Sequence, residues 1–295
     1  MTVSGSPRKL PITRRRFLTA SACAVGGVAL YAGEIARHWI EVSSRDVVLP
    51  GLPQAFDGFR IAQISDIHMD EYTEPFFVRD VVNRVNSLNP DAVFLTGDFV
   101  TCELAPRKFA IGAGWQCAGI LNQLTCRQRY AVLGNHDVMI GADAVSEALT
   151  ANEILVLRNY YMPLERSGGR IWLAGLGDPL QGLPDPEATI PASIRNIPRE
   201  PIVLLCHAPD YVDHLLTLPS GQAVSLMLCG HTHGGQIRLP LIGPVVLPQM
   251  GRKYVAGWFR FGQLQLHVNR GIGTVGLPFR LDCPPEISLL TLHAA

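Results

Sequence analysis

The chain has 295 residues, with 25 basic and 25 acidic side chains and 47% hydrophobic residues, enough to bury one large core or two smaller ones. Arg8, Lys9, Arg14, Arg15 and Arg16 all precede residue 34, and no acid accompanies them. The remainder is therefore mildly acidic, which argues against non-specific nucleic-acid binding, because neutralising phosphates takes a basic stripe.

Thr13-Arg14-Arg15-Arg16-Phe17-Leu18-Thr19 precedes an Ala/Gly-rich apolar stretch from Ala20 to Gly33. This head resembles a twin-arginine export signal. The apolar run is about 16 residues, short of the roughly 20 that a membrane span needs. No convincing small-x-small cleavage site follows it, so a retained N-terminal anchor is the other reading. Residues 1–33 are set aside as signal or anchor, 34–58 as a lead-in segment, and 59–295 as a single domain. The expected location is periplasmic, or the outer face of the cytoplasmic membrane, with the twin-arginine machinery as a partner.

Five short runs rich in Val, Ile and Leu read as strands buried on both faces: Phe59–Ser65, Ala92–Thr96, Tyr130–Leu133, Ile202–Cys206 and Ser225–Cys229. Between the first two, Thr73-Glu74-Pro75 signals a helix start, with apolar residues at helical spacing from Phe77 to Leu88. A weaker helix is expected from Pro106 to Leu124, and a third is capped by Asp143 and runs to about Asn152. Further strands are expected at Ile154–Leu157, Ile171–Leu176, Leu264–Val268 and Ile287–Leu292. Strand and helix alternate in the first half and strands dominate the second. Two mixed sheets packed face to face with helices outside satisfy that order, an α/β (α+β) four-layer α-β-β-α sandwich. Seven cysteines show no zinc-ribbon spacing and read as structural, Cys206 and Cys229 as buried small hydrophobes.

Each of the five core strands ends in polar residues of metal-binding type. They are Asp66-Ile67-His68, Gly97-Asp98, Gly134-Asn135-His136-Asp137, His207, and Gly230-His231-Thr232-His233. Ligands at the ends of neighbouring strands converge on one edge of a sheet, where the scaffold holds them rigidly. The set, in this order, resembles the calcineurin-like metallophosphoesterases and implies their fold. The resemblance implies that Asp66, His68, Asp98 and His233 bind one metal, and that Asp98 bridges to a second held by Asn135, His207 and His231. Such nitrogen and oxygen donors without thiolate suit two divalent transition-metal ions from Mn, Fe, Zn, Co and Ni, with Mn the first expectation. The implied reaction is hydrolysis of a phosphoester by a hydroxide bridging the two metals. His136 would protonate the leaving oxygen or steady its charge, and Asp137 would either orient that imidazole or cap the turn. Arg270 would approach the substrate phosphate or form a structural ion pair. His38, His214, His267 and His293 match no motif position and read as ordinary surface or core residues.

Asp98 is followed by Phe99-Val100-Thr101-Cys102, which lacks the Asp-Arg-Gly extension of protein phosphatases and the metal-binding tyrosine of purple acid phosphatases. Leu157-Arg158-Asn159, Leu173-Ala174-Gly175-Leu176, Gly234-Gly235-Gln236-Ile237, Arg270-Gly271-Ile272-Gly273 and Cys283-Pro284-Pro285-Glu286-Ile287 resemble the bacterial YkuE/YaeI-type phosphoesterases. That resemblance implies membrane association and a phosphodiester or pyrophosphate substrate, small or lipid-linked, including the UDP-2,3-diacylglucosamine hydrolase reaction of lipid A synthesis. A nucleotide-activated lipid intermediate is cytoplasmic, so an exported enzyme would instead meet phospholipid or cell-wall diesters. Soluble diesters such as cyclic nucleotides, or a non-catalytic metal-stabilised scaffold, are the alternatives; His136, which metal binding does not need, speaks against the scaffold. The apolar loop Gly234–Pro248 either packs Leu239, Ile242, Val245 and Val246 onto the sheet, the simpler expectation, or walls an acyl-chain site and meets a membrane. Oligomeric state has no signature in the sequence.

Overall fold

The computed structural model describes residues 13–70, 72–102, 107–197 and 199–295. Arg8 and Lys9 of the basic head, and Pro106 at the expected start of the second helix, lie outside them. The strands in chain order are β1 (Glu41–Leu49), β2 (Arg60–Ile64), β3 (Ala92–Leu95), β4 (Arg129–Ala131), β5 (Leu155–Val156), β6 (Tyr160–Arg166) and β7 (Gly169–Gly175). They continue as β8 (Ile202–Leu205), β9 (Val224–Cys229), β10 (Arg238–Leu239), β11 (Gly243–Pro244), β12 (Gly257–Phe261), β13 (Leu264–Val268) and β14 (Glu286–Ala294). The longer helices are α1 (Arg14–Leu30), α2 (Pro75–Leu88), α3 (Arg107–Leu121) and α4 (Asn135–Ala151).

Two mixed six-stranded sheets, ordered β1-β14-β2-β3-β4-β5 and β12-β13-β9-β8-β7-β6, form the body. Ile61, Phe94, Val132 and Leu290 of the first sheet meet Leu173, Val203, Leu205, Leu226 and Leu228 of the second in one apolar layer. The outer face of the first sheet is covered by α2, α3 and α4, through Val78, Val81, Val85, Leu121, Val145 and Leu149. Short helical turns carrying Ile194, Tyr211, Val212 and Leu215 cover the outer face of the second. The fold is thus the expected four-layer sandwich. Strands buried on both faces must be apolar throughout, which is why the five central runs read so clearly.

Where the pattern was weaker, the structure differs. The third helix begins at Asn135 rather than at Asp143, with Gly141 at φ 143° breaking its interior. Asp143 is exposed and pairs with Arg158 instead. The edge strands β6 and β12 were not expected, and β6 contains Pro163, a residue that only edge strands tolerate well. Residues 41–49 of the lead-in form β1, parallel to β14 along its whole length. A continuous helical stretch, Arg14–His38, is long and apolar enough to cross a membrane, as a signal sequence also would be.

Candidate metal centre

The C-terminal ends of β2, β3 and β4 in one sheet, and of β8 and β9 in the other, meet at one edge of the sandwich. The chain turns sharply after each strand. Asp66, His68, Asp98, His231 and His233 all have φ between 48° and 73°, a region that non-glycine residues rarely occupy. Strain of this kind persists only where surrounding structure enforces it, and it concentrates at functional sites. Glycine permits the close approach. A Cβ on Gly134 would lie 2.2 Å from Asp98 Oδ1, and one on Gly230 would lie 2.2 Å from Asp66 Oδ2.

Three triads of donor atoms form there: Asp66, His68 and His233; His68, Asp98 and His136; Asp98, His207 and His231. Asp98 stands between the two sides, its Oδ2 3.1 Å from His207 Nε2 and 3.4 Å from His68 Nε2. Hydrogen bonds fix which nitrogens are free. His207 Nδ1 faces Thr96 O at 2.7 Å and His231 Nε2 faces Gln249 O at 2.7 Å, so each must donate there. Their other nitrogens face each other at 3.2 Å, and His207 Nε2 also lies 3.1 Å from Asp98 Oδ2. Burial opposes a charge on His207, but Asp98 beside it raises the imidazole well above its ordinary value, so the cluster holds a cation there, a proton or a metal ion in its place. Asn135 Oδ1 is buried without a partner, and His68 Nε2 has Asp98 Oδ2 at 3.4 Å. The residues present therefore fit divalent metal ions. Backbone N–H of His231 donates to both oxygens of Asp66 at 2.9 Å and so orients that carboxylate.

Electrostatics follow from burial. Burial holds the His136 imidazole down at about 4, and lowers His231 and His233 as well, so these rings are neutral at pH 7. Burial opposes ionisation of Asp98 too, but the neighbouring His207 and His136 and hydrogen bonds from His207 and His68 hold it well below the usual carboxylate range. His68 and His207 behave oppositely: burial opposes their protonation, but Asp98 outweighs it and raises both, so a metal ion must displace a proton from each before they ligate.

His136 lines the cavity over the centre. The backbone N–H of Cys102 donates to its Nδ1 at 3.1 Å, which leaves Nε2–H as the donor available to a ligand. Asp137 is not the residue that orients it. Its carboxylate accepts from the backbone N–H groups of Asp98 (2.8 Å), Phe99 (2.9 Å) and Gly134 (2.9 Å), tying the two ligand loops together. Of the two roles expected for Asp137, the structure has the capping one. Arg270 likewise takes the structural option, pairing with Glu286 at 3.0 Å and Glu41 at 3.2 Å.

Two residues at the centre escaped the sequence reading. Arg280 is fully buried, with Nη2 3.4 Å from His233 Nδ1 and 2.6 Å from Gly273 O. Asp178 is buried with Oδ1 unpartnered and lies close enough to His207 and Asp98 for their charges to act on it. Neither sits in a motif, and only the folding of distant loops brings them in.

The cavity measures about 620 Å³ and is floored by His68, Asp98, Asn135, His136, His231 and His233. Ile237, Val245, Val246, Pro248, Val275 and Leu277 make one wall apolar. The simpler expectation for the loop after His233 fails: Ile242, Val245 and Val246 are exposed rather than packed on the sheet. The short β10–β11 hairpin carries them outward.

Comparison with known proteins agrees with this geometry. The chain is 34% identical to the metallophosphoesterase YkuE of Bacillus subtilis, over 96% of this chain and 98% of that protein. It is 32% identical to the phosphodiesterase YaeI of Escherichia coli, over 95% and 99%. A more distant relative, the UDP-2,3-diacylglucosamine pyrophosphatase LpxG of Chlamydia muridarum, is 25% identical over 92% and 95%. Residues 59–235 match the calcineurin-like phosphoesterase family. With the metal-binding edge those residues build, the chain belongs to the calcineurin-like phosphoesterases and is a hydrolase of phosphoester bonds.

Proposed function

We propose that the protein is a dinuclear-metal phosphodiesterase acting on a lipid-linked or cell-envelope diester or pyrophosphate. The carrying observation is the clustering of His68, His207 and His231 around Asp98, with the facing nitrogens of His207 and His231 3.2 Å apart and Asn135 Oδ1 buried without a partner. Asp66, His68, Asp98 and His233 would hold one ion, and Asp98, Asn135, His207 and His231 the other, with Mn the first candidate. Bound there, two divalent ions supply Lewis acidity and an acidified water as nucleophile. His136 Nε2–H donates a hydrogen bond to the phosphoryl or leaving oxygen as charge develops on it. Asp137 keeps the Asp98 and Asn135 loops in register through their backbone N–H groups.

The apolar wall of the cavity supports an amphiphilic substrate. Basic residues before α1 favour a cytoplasmic N-terminus with the body outside, in keeping with a twin-arginine signal or a retained anchor. On that side an enzyme meets phospholipid or wall diesters rather than a nucleotide-activated precursor. The test is turnover of bis-p-nitrophenyl phosphate against p-nitrophenyl phosphate by the full chain with Mn²⁺, with Asp98→Ala as control. Diester turnover that Asp98→Ala abolishes supports the reading. Metal bound in the parent chain with neither ester cleaved counts against it.

A further inference from the structure

We infer that the rim of the metal cavity is a membrane-docking surface: the β10–β11 hairpin and Leu277 enter the bilayer leaflet in which α1 is seated, so that the mouth of the site opens onto phospholipid. The inference rests on α1 being a membrane helix and names the place from which the proposed substrate is drawn.

Strand registers put α1 and the metal centre at the same end of the molecule. Ser288 of β14 pairs with Gln63, three residues before Asp66, and Glu286 lies further toward that end. Glu41 pairs with Glu286, so β1 begins at the metal edge and finishes at the opposite one, where Leu49 pairs with Ala294. The helical stretch Arg14–His38 therefore enters the body beside the ligands. Its end is pinned there: Arg37 pairs with Glu74 at 2.7 Å, and the backbone N–H of Arg280 donates to Ala32 O at 3.0 Å.

The depth of the rim follows from the helix. A span of roughly 20 residues counted from Arg16 reaches the neighbourhood of Ala36. Ile237, Phe279 and Leu281 of the body flank Ala24, Val25, Val28 and Ala32 across an apolar groove of about 400 Å³. Body residues beside that stretch stand at or below the level where the hydrocarbon ends, the depth at which interfacial elements embed. Exposed Tyr31 and Trp39 near the end of the helix are aromatics of the kind found at that boundary.

The chemistry of the rim agrees. Leu241, Ile242, Val246 and Leu277 expose 109%, 74%, 76% and 58% of their surface, and Val246 and Leu277 border the same cavity mouth. Within the rim loops 234–251 and 271–281 the charged side chains are Arg238 and the buried Arg280, and the exposed Asp282 follows directly. Val245 and Val246 line the cavity from the other side of the same hairpin, so lipid contact and the metal site share one wall.

The test places a reporter on the rim of the full chain, reconstituted in phosphatidylethanolamine–phosphatidylglycerol nanodiscs. Ile242→Trp and Leu277→Trp each add one indole to the four native ones, and Val48→Trp adds one at the opposite sheet edge. Emission of the added indole, taken as the difference from the parent chain, is compared in ordinary and brominated lipid. We expect about twofold quenching at positions 242 and 277, as for side chains embedded in the acyl boundary, and none at position 48. No quenching at either rim position overturns the inference. The parent chain in the same nanodiscs is assayed on soluble bis-p-nitrophenyl phosphate. Quenching without diester turnover would leave the docking surface standing and count against the phosphodiesterase reading. Turnover without quenching would do the reverse.

Discussion

Lowering the pH from 7 to 5 should weaken the fold through one histidine outside the metal centre. His267 of β13 is buried between the sheets, its ring 4.6 Å from that of Trp258 and its Nδ1 2.9 Å from Gln63 Oε1. Gln63 of β2 in turn donates to Thr96 Oγ1 at 3.2 Å and to Cys229 O at 2.9 Å, so its oxygen takes the His267 proton and the network stitches one sheet to the other. Burial holds the His267 imidazole down at about 4, against an ordinary value of 6.5. Between those values the unfolded chain binds a proton that the folded chain refuses, so stability rises with pH and is lost as pH falls through 6.5. Linkage over that shift gives a loss of about 2 kcal/mol between pH 7 and pH 5. Urea denaturation at the two pH values measures it, with His267→Gln as the comparison because glutamine can still donate to Gln63 and does not titrate. The variant should lose about 2 kcal/mol less than the parent over the same interval. Equal losses in the two proteins would refute the argument, because the metal-centre histidines titrate in both.

Adding Mn²⁺ to metal-free protein should raise Tm, since only the folded chain presents the facing nitrogens of His207 and His231. At a hundredfold excess over Kd the gain is about 2.7 kcal/mol, roughly 4–5 °C for a chain of this size; calorimetry showing no rise at millimolar metal would contradict the site. His136→Ala should lower diester kcat by about 10²-fold or more while the bound metal, counted by elemental analysis, is retained. Loss of metal together with activity would make His136 a ligand, as its place beside His68 and Asp98 permits. Asp137→Asn should reduce kcat and metal affinity together without moving the acid limb of the pH–rate profile, because its carboxylate touches backbone N–H groups and not the His136 ring. A shifted limb would restore Asp137 as the residue that tunes His136.

The ligands were legible because each follows a strand buried on both faces, and such strands show in sequence as unbroken apolar runs such as Ala92–Leu95 and Ile202–Leu205. The half-exposed elements left weaker traces. Strand β1 alternates no clean apolar face, and β6 carries a proline and surface charges. The hairpin after His233 differs from expectation for another reason: apolar residues in a loop read as core by default, and nothing local says that Ile242, Val245 and Val246 face outward.

The sequence by itself determined which residues end the core strands, and hence the candidate donors and the family, because strand burial and the residues that follow it are local properties of the chain. Tertiary structure decided everything that depends on partners remote along the chain. The N–H of His231 orients Asp66 from 165 positions away, and Arg280 reaches His233 across 47. Asp137 became a brace for Asp98 rather than a partner for His136, because the crossing of two loops put three N–H groups against its carboxylate. The juxtaposition of α1 with the cavity rim came from β1 lying parallel to β14, a pairing between the two ends of the body. Hydrogen-bond direction and strand register are set by which surfaces meet, and that information exists only once the chain has closed on itself.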